Sequence, residues 1–418
     1  MPTIMFSAGE TSGDIHCASV IEAMNRTDST INWVGMGSSA CAGAGAELLV
    51  DFSGIAVMGY VEVARNYRKL HARLQTLRNY LRDHKPALLV LVDYASFNLK
   101  LAETAKELNI PVLFYIGPKV WASRPGRIAK IRQLVTHMAL ILPFEEKLFT
   151  KAGVAATSVG NPLVEQINIP ASRSEARNLL ALPAVATEFG STDKNERFIG
   201  LLPGSRQAEL KFNLPVLLAT AKEVVAQRPD DHCRFLLPLA PQLDEVELNA
   251  MLENSSELDL IVVHDNSHRV MKACDVLMIA SGTATLEAAV VGTPMLSLYV
   301  MHWLNYQIMK KLVISDYVTL VNIQAGDAVI KEFIQHQATP QALSAEVGEL
   351  LDNSDYREKM ISELQRIRSE LEAPMSISAE NYKVDEPAFK RATDRTSDRT
   401  SDRVAALAYN MLPHSQTV

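Results

Sequence analysis

Leu201-Leu202-Pro203-Gly204-Ser205-Arg206 closes an apolar run that begins at Phe198. The apolar residues read as a buried strand. Pro-Gly-Ser reads as a tight turn that exposes backbone amides beside one fixed positive charge. At the carboxyl end of a parallel strand such a turn suits a diphosphate, because amide N–H groups and a helix N-terminus point at the ligand. Gly9-Glu10-Thr11-Ser12-Gly13-Asp14 repeats the arrangement after the first apolar segment of the chain. Two strand–turn–helix openings so far apart imply two nucleotide-type α/β domains facing a common cleft, an architecture suited to sugar nucleotides.

The bulk properties agree. At 418 residues the chain exceeds one ordinary core, so two domains are expected. Hydrophobic residues at 48% and charged residues at 21% belong to a globular protein. A net charge of −7 excludes a general nucleic-acid binder. Cys17, Cys41, Cys233 and Cys274 show no metal-ligand spacing and no CxxC pair, and read as buried free thiols of a reducing compartment. The opening MPTIMFSAGE enters a strand without a charged, then apolar, signal segment. No apolar stretch reaches the roughly 20 residues of a spanning helix. A cytoplasmic protein with at most peripheral membrane contact is expected.

Short apolar runs alternate with helical patterns along the chain. Strands are expected at 3–7, 31–35, 87–93, 112–116 and 138–142, and again at 198–202, 233–237, 260–264, 276–280 and 294–299. Runs this apolar between helices imply parallel sheets buried on both faces. The expected domains are two Rossmann-like units, 1–166 and 167–372. Residues 373–403 carry a Thr-Ser-Asp-Arg tandem repeat with balanced charge and read as a solvated insertion. A helix and tail at 404–418 follow, packing on the first domain or on a partner.

Several residues at strand ends carry candidate chemistry. Gly204 and Gly9 let backbone approach a ligand, and Arg206 can pair bidentately with phosphate oxygens. A proline–glycine turn can equally serve only to reverse the chain. Ala280-Ser281-Gly282-Thr283-Ala284-Thr285-Leu286-Glu287 opens a second helix whose first amides suit an anion. Ser281 or Thr283 equally suits an ordinary N-cap there. Asp93 ends the run from Leu88 to Val92 and suits a general base if burial raises its pKa. The plain alternatives are a cap for a helix starting near Asn98, or an arginine pair. Trp121 suits a sugar or acyl site, with Lys119, Arg124 and Arg127 toward anionic groups. A core tryptophan with solvated basic neighbours reads equally well.

From Arg65 to Arg82 six basic residues occur with no acid, while Tyr67, Leu70, Leu74, Leu77 and Leu81 keep helical spacing. This basic amphipathic helix suits an anionic lipid surface or, more plainly, a packed helix with a solvated face. The apolar 55–60 segment suits a mobile loop over an apolar ligand, and the aromatic 301–312 segment a second lipid-facing surface.

In this order the segments resemble the lipid-A-disaccharide synthase family, glycosyltransferases of the two-Rossmann-domain GT-B type. The matching residues are Ser7 to Asp14, Val57-Met58-Gly59, Glu62-Val63, Asp93 with Phe97-Asn98, Val120-Trp121-Ala122 and Leu142-Pro143-Phe144-Glu145. They continue with Val159-Gly160, Leu202 to Arg206, Ser281-Gly282-Thr283-Ala284, and Asp316-Tyr317-Val318 with Asn322, covering the chain to about residue 370. The resemblance implies inverting transfer of 2,3-diacylglucosamine from UDP to the 6-hydroxyl of 2,3-diacylglucosamine 1-phosphate (lipid X). It implies Asp93 and Arg206 as the critical pair, with Arg206 on the departing UDP. Substrate contacts are expected at Gly9, Glu10, Ser12, Gly13, Met58 and Trp121, and at Gly204, Ser205, Ser281, Gly282, Thr283, Glu287 and Asn322. No cofactor and no metal is expected, since arginine and helix amides neutralise the diphosphate. Peripheral attachment to the inner face of the cytoplasmic membrane of a Gram-negative-type bacterium, and a homodimer, are further expectations. The chain departs from the family pattern at Tyr94-Ala95-Ser96, at Asn161 and at Ser123. Another UDP-sugar enzyme of GT-B type, an epimerase or a different transferase, and a non-catalytic nucleotide or lipid binder are the competing readings.

Overall fold

The computed structural model describes residues 1–53, 60–123, 125–182, 196–240, 243–264, 266–312, 315–372 and 399–413, with side chains outside 60–67, 304, 308, 311 and 312. The chain forms two compact units, Met1–Pro162 with Glu370–Val418, and Leu163–Ser369.

The first unit holds seven strands: β1 Thr3–Ala8, β2 Asn32–Gly37, β3 Glu47–Asp51, β4 Leu88–Val92, β5 Val112–Tyr115, β6 His137–Leu140 and β7 Ala156–Ser158. Their order is β3-β2-β1-β4-β5-β6-β7, with every pair parallel. The second unit holds β8 Glu196–Leu202, β9 His232–Pro238, β10 Asp259–Val263, β11 Val276–Ala280, β12 Met295–Tyr299 and β13 Glu332–Ile334, ordered β10-β9-β8-β11-β12-β13 and again all parallel. Each expected apolar run becomes a strand. The three strands that the runs do not show, β3, β7 and β13, are sheet edges. An edge strand is paired on one side and packed less completely, so no long apolar run is required of it.

Both orders reverse once, between β1 and β4 and between β8 and β11. In an open α/β sheet the crossovers leave a crevice beyond the carboxyl ends of the strands at such a point. The turns after β1 and β8 therefore open at these two places.

In the first unit the helices sandwich the sheet. α1 (Thr11–Thr27) and α2 (Ser39–Gly43) cover one face, and α3 (Tyr60–His84), α4 (Ala95–Glu107), α5 (Arg127–Leu134) and α6 (Pro143–Lys151) the other. Leu74, Leu77 and Leu81 of α3 are buried in that second face, so this stretch of the apolar stripe serves the core. Arg68, Lys69 and Arg82 stay exposed, while Arg78 donates to the Lys100 carbonyl at 2.7 Å.

The first face is completed by the end of the chain. The helix Thr400–Asn410 lays Val404, Ala405, Leu407 and Ala408 against α1 in one apolar cluster with Cys17, Ile21 and Met24. This corrects the sequence expectation, which kept the repeat solvated through residue 403 and began the helix at 404. Arg403 and Leu407 are four residues apart, close to one full turn, so helical phase puts them on the same side and turns Arg403 inward. Its buried guanidinium donates to the Val159 carbonyl at 2.8 Å. Gly160, at φ +82, is required beside it, since a Cβ there would lie 2.6 Å from Arg403 Nη1. The remainder of the insertion, 373–398, lies outside the described residues.

Leu407 is 3% exposed. Leu407→Ala is expected to cost about 2–4 kcal/mol, read as a lower urea midpoint for the transition that reports the first unit. An unchanged midpoint would show that the terminal helix adds nothing to the core.

Candidate functional site

Beyond β1 and β4, one buried amide organises the first crevice. Asn98, on α4, donates through Nδ2 to the carbonyls of Ser7 and Val92 at 3.2 Å each and of Asp93 at 2.7 Å. Its Oδ1 accepts the Ser7 hydroxyl at 2.7 Å. The ends of the two strands are thereby tied together. Asp93 and Tyr94 then both take left-handed backbone, φ +47 and +46, at a cost on the order of 1 kcal/mol for each non-glycine residue. The Tyr94 ring lies over Gly9, where a Cβ would come within 2.3 Å of it. Glycine at 9 is thus demanded by an aromatic neighbour.

Asp93 is neither a helix cap nor an arginine partner among the described residues. α4 starts at Ala95 with Tyr94 at the cap position, and Asp93 Oδ1 accepts the Tyr94 amide at 2.8 Å. Burial raises its carboxyl above the ordinary aspartate range, against the pull of the Tyr94 amide and the Lys119 charge. Glu10 is raised too, by burial first and then by the charge of Asp93, which brings these two carboxyls into one neighbourhood. Ser12 is exposed in the first turn of α1, whose start no side chain caps. Gly13 packs beneath, toward the Val92 carbonyl. Asp14, buried, accepts the Ser38 and Ala40 amides at 2.7 and 3.0 Å, so the motif's last acid pins α2. Met58 and Arg124 lie outside the described residues.

Trp121, half-buried, donates its indole N–H to Glu145 at 2.8 Å and meets the Phe144 ring edge-on. Arg127 turns instead to the Ser96 hydroxyl at 2.8 Å.

Beyond β8 and β11 the two glycine turns of the second unit stand on neighbouring strands, with Ile279 paired to Leu202. Asn213, fully buried, donates to the Pro203 carbonyl and accepts the Val300 amide, each at 3.0 Å. It plays for this turn the part that Asn98 plays for the first. Gly204, at φ +111, admits no Cβ, which would meet the Glu209 carboxylate at 2.4 Å. That carboxylate accepts the Ser205 amide at 3.0 Å and the Arg206 amide at 3.3 Å, and pairs with the Arg206 guanidinium at 3.2 Å. The Ser205 and Arg206 amides of this turn thus already meet a carboxylate, one supplied by the helix Gln207–Gln227. Arg206 is 66% exposed.

The helix Thr283–Val291 differs. Its cap position is Gly282, with no side-chain cap, so neither Ser281 nor Thr283 performs that role. Gly282 and Thr283 are exposed, and its first amides face outward with the positive end of the helix dipole. Glu287, one turn on, accepts from or pairs with His268 Nε2 at 3.0 Å.

Asn322, expected at a ligand contact, is engaged inside the fold. It is 1% exposed. Its Oδ1 accepts the Val329 and Ile330 amides, and its Nδ2 donates to the Ile330 carbonyl and to Glu332. Every hydrogen-bonding site on the amide is used. Glu332 also holds the Val318 and Thr319 amides, so Asn322 frames this loop from inside.

The sequence reading passed over Asn98, Asn213, Glu145 and Glu209 as site-forming groups. The first two carry a signal: each is an amide at a helix position whose neighbours in phase are apolar, Leu101 and Ala102 in one case, Leu210 and Leu217 in the other. Such an amide needs buried backbone to bond.

The chain has relatives among known proteins. Residues 4–385 match the family model described as lipid-A-disaccharide synthetase. The lipid-A-disaccharide synthase of Nitrosococcus oceani is 39% identical over 372 residues, 89% of this chain and 93% of the relative. That of Trichlorobacter lovleyi is 38% identical over 368 residues, 88% and 93% of the two chains. Among solved structures, the glycotransferase of kitacinnamycin superposes with a TM-score of 0.58 at 14% identity, covering 99% of each chain. The UDP-GlcNAc 2-epimerase of Neisseria meningitidis, bound to UDP-GlcNAc, gives 0.54 at 14% identity over 86% of this chain and 94% of its own. At such identity these two share the fold, a pair of Rossmann-like units of GT-B type. With a family match across nearly the whole described chain and relatives near two-fifths identical, this chain belongs to the lipid-A-disaccharide synthase family.

Proposed function

We propose that this glycosyltransferase moves a 2,3-diacylglucosaminyl unit from UDP to the 6-hydroxyl of 2,3-diacylglucosamine 1-phosphate, releasing UDP. The observation that carries the reading is the family match together with the paired turns beyond β8 and β11. The bond from the donor's anomeric carbon to the UDP oxygen breaks, and its electrons go to the diphosphate. The acceptor oxygen bonds the same carbon from the opposite face, which inverts it, and gives up its proton.

Each half of that chemistry has a candidate group. On the donor side, the open amides at Thr283 and the exposed Arg206 guanidinium suit the diphosphate. Arg206 gains most as charge grows on the leaving group, which makes its contribution one to the transition state. Glu209 has to yield its place on the Ser205 and Arg206 amides, or share Arg206 with phosphate. Glu287, held by His268, suits a ribose hydroxyl. On the acceptor side, Asp93 is the base, half-buried beyond β4 with its carboxyl raised by burial. Trp121 forms an apolar wall for the acceptor. The exposed Arg68, Lys69 and Arg82 of α3 suit anionic lipid headgroups, where both acylated substrates reside.

The reading is tested by incubating UDP-2,3-diacylglucosamine with lipid X and searching by mass spectrometry for the disaccharide phosphate. Turnover of unacylated UDP-N-acetylglucosamine alone would defeat it. Arg206→Ala is expected to lower kcat by roughly 100- to 1,000-fold. Asp93→Asn is expected to lower kcat by about 100-fold or more while UDP still binds in calorimetry. Since Asp93 must be ionised to take the proton, kcat/KM falls as pH drops through its raised pKa. The acid limb therefore lies above the pH of an ordinary aspartate, about 3.9, and is missing from the residual activity of Asp93→Asn.

A further inference from the structure

Glu145 is buried where packing alone does not call for an acid. It is 3% exposed, and no ion pair holds it among the described residues. Its described side-chain partner is the neutral indole of Trp121, whose N–H it accepts at 2.8 Å. Glutamine or leucine would fill the same space without a charge to desolvate, which in an apolar setting is costly. The neighbouring acid on α6, Glu146, has an ordinary structural task, since it accepts the Ser158 amide at 2.9 Å. Glu145 has no such backbone duty outside its own turn.

We propose that Glu145 is a positioning residue of the acceptor side, fixing the plane of the Trp121 indole through its ring nitrogen. The Phe144 ring supports the same indole edge-on, at 5.3 Å between centroids. One residue pair on α6 thus determines both the tilt and the rotation of the tryptophan. The inference rests on Trp121 facing the acceptor.

The bond is also adjustable. Burial pushes the Glu145 carboxyl up to about 7, while the Trp121 N–H, the charge of Lys119 and the Leu142 amide pull it back. Lys119 acts on Asp93 as well, so one exposed ammonium on the β5–α5 connection bears on both carboxyls. Lys147 is the basic neighbour on α6 itself, and His137 on β6 is engaged with Thr157. An ionised carboxylate accepts the indole N–H more strongly than a neutral one. The grip on Trp121 therefore tightens as pH rises through the neutral range.

The test uses the full chain, lipid X as acceptor and three variants: Glu145→Gln, Glu145→Leu and Trp121→Phe. Tryptophan emission of the unaltered protein is expected to titrate with a midpoint near about 7, and this titration vanishes in both Trp121→Phe and Glu145→Gln. Glu145→Leu, which removes the acceptor of the N–H, is expected to raise KM for lipid X by about 3- to 10-fold, with kcat and the donor KM changed by less than about twofold. Glu145→Gln keeps an oxygen for the indole and should restore that KM. The proposal is overturned if the emission titration survives in Glu145→Gln. It is equally overturned if Glu145→Leu leaves the lipid X KM untouched while Trp121→Phe raises it. If Trp121→Phe itself leaves that KM unchanged, the placement of Trp121 at the acceptor fails first and the inference falls with it, a result distinct from the other two.

Discussion

Everything at the first crevice depends on the amide of Asn98. Four groups from β1, β4 and the turn after it converge on that one side chain. Strand ends that part at a reversal of order leave carbonyls turned toward each other without partners. An unsatisfied buried polar group costs about 1–3 kcal/mol. With the amide in place, the ends are fixed closely enough to hold Asp93 and Tyr94 in an unfavourable backbone conformation. The strain at Asp93 is therefore a property of α4 as much as of the turn.

Asn213 serves the second unit in the same way, though with fewer bonds. The two crevices nevertheless differ in charge. The first gathers carboxyls, Asp93 and Glu10, each raised by burial. The second presents a guanidinium and helix amides, tempered by Glu209. A proton acceptor and an anion site, the roles proposed for the two units, are opposite electrostatic demands. The Glu209 carboxylate on the Leu202–Arg206 turn also keeps the Ser205 and Arg206 amides satisfied, which answers how a turn rich in exposed donors remains folded.

What the chain discloses of itself follows burial. Strands paired on both sides, such as Leu88–Val92 and Val276–Ala280, must be apolar throughout and are legible from composition alone. The edge strands Glu47–Asp51 and Glu332–Ile334 mix acids with apolar residues and are not. Glycines and charges at the turns are equally plain, because backbone freedom and fixed charge are local properties. Partnerships are not local. Nothing within a few residues of Asn322 announces that all its bonds point inward, nor does the repeat around Arg403 announce a carbonyl waiting at Val159. Glu145 is hidden for the same reason: its meaning lies in a tryptophan two dozen positions away.

The terminal helix carries one more consequence, for the order in which the protein comes into being. A ribosome releases α1 early, with Cys17, Ile21 and Met24 on a face that Val404, Leu407 and Ala408 will cover. Between them the whole of Leu163–Ser369 is synthesised. Domains generally fold as units while they emerge, so the second unit can close before the first has received its last layer. The half that starts first finishes last, and through most of its synthesis the chain carries a greasy strip on α1 awaiting its own far end.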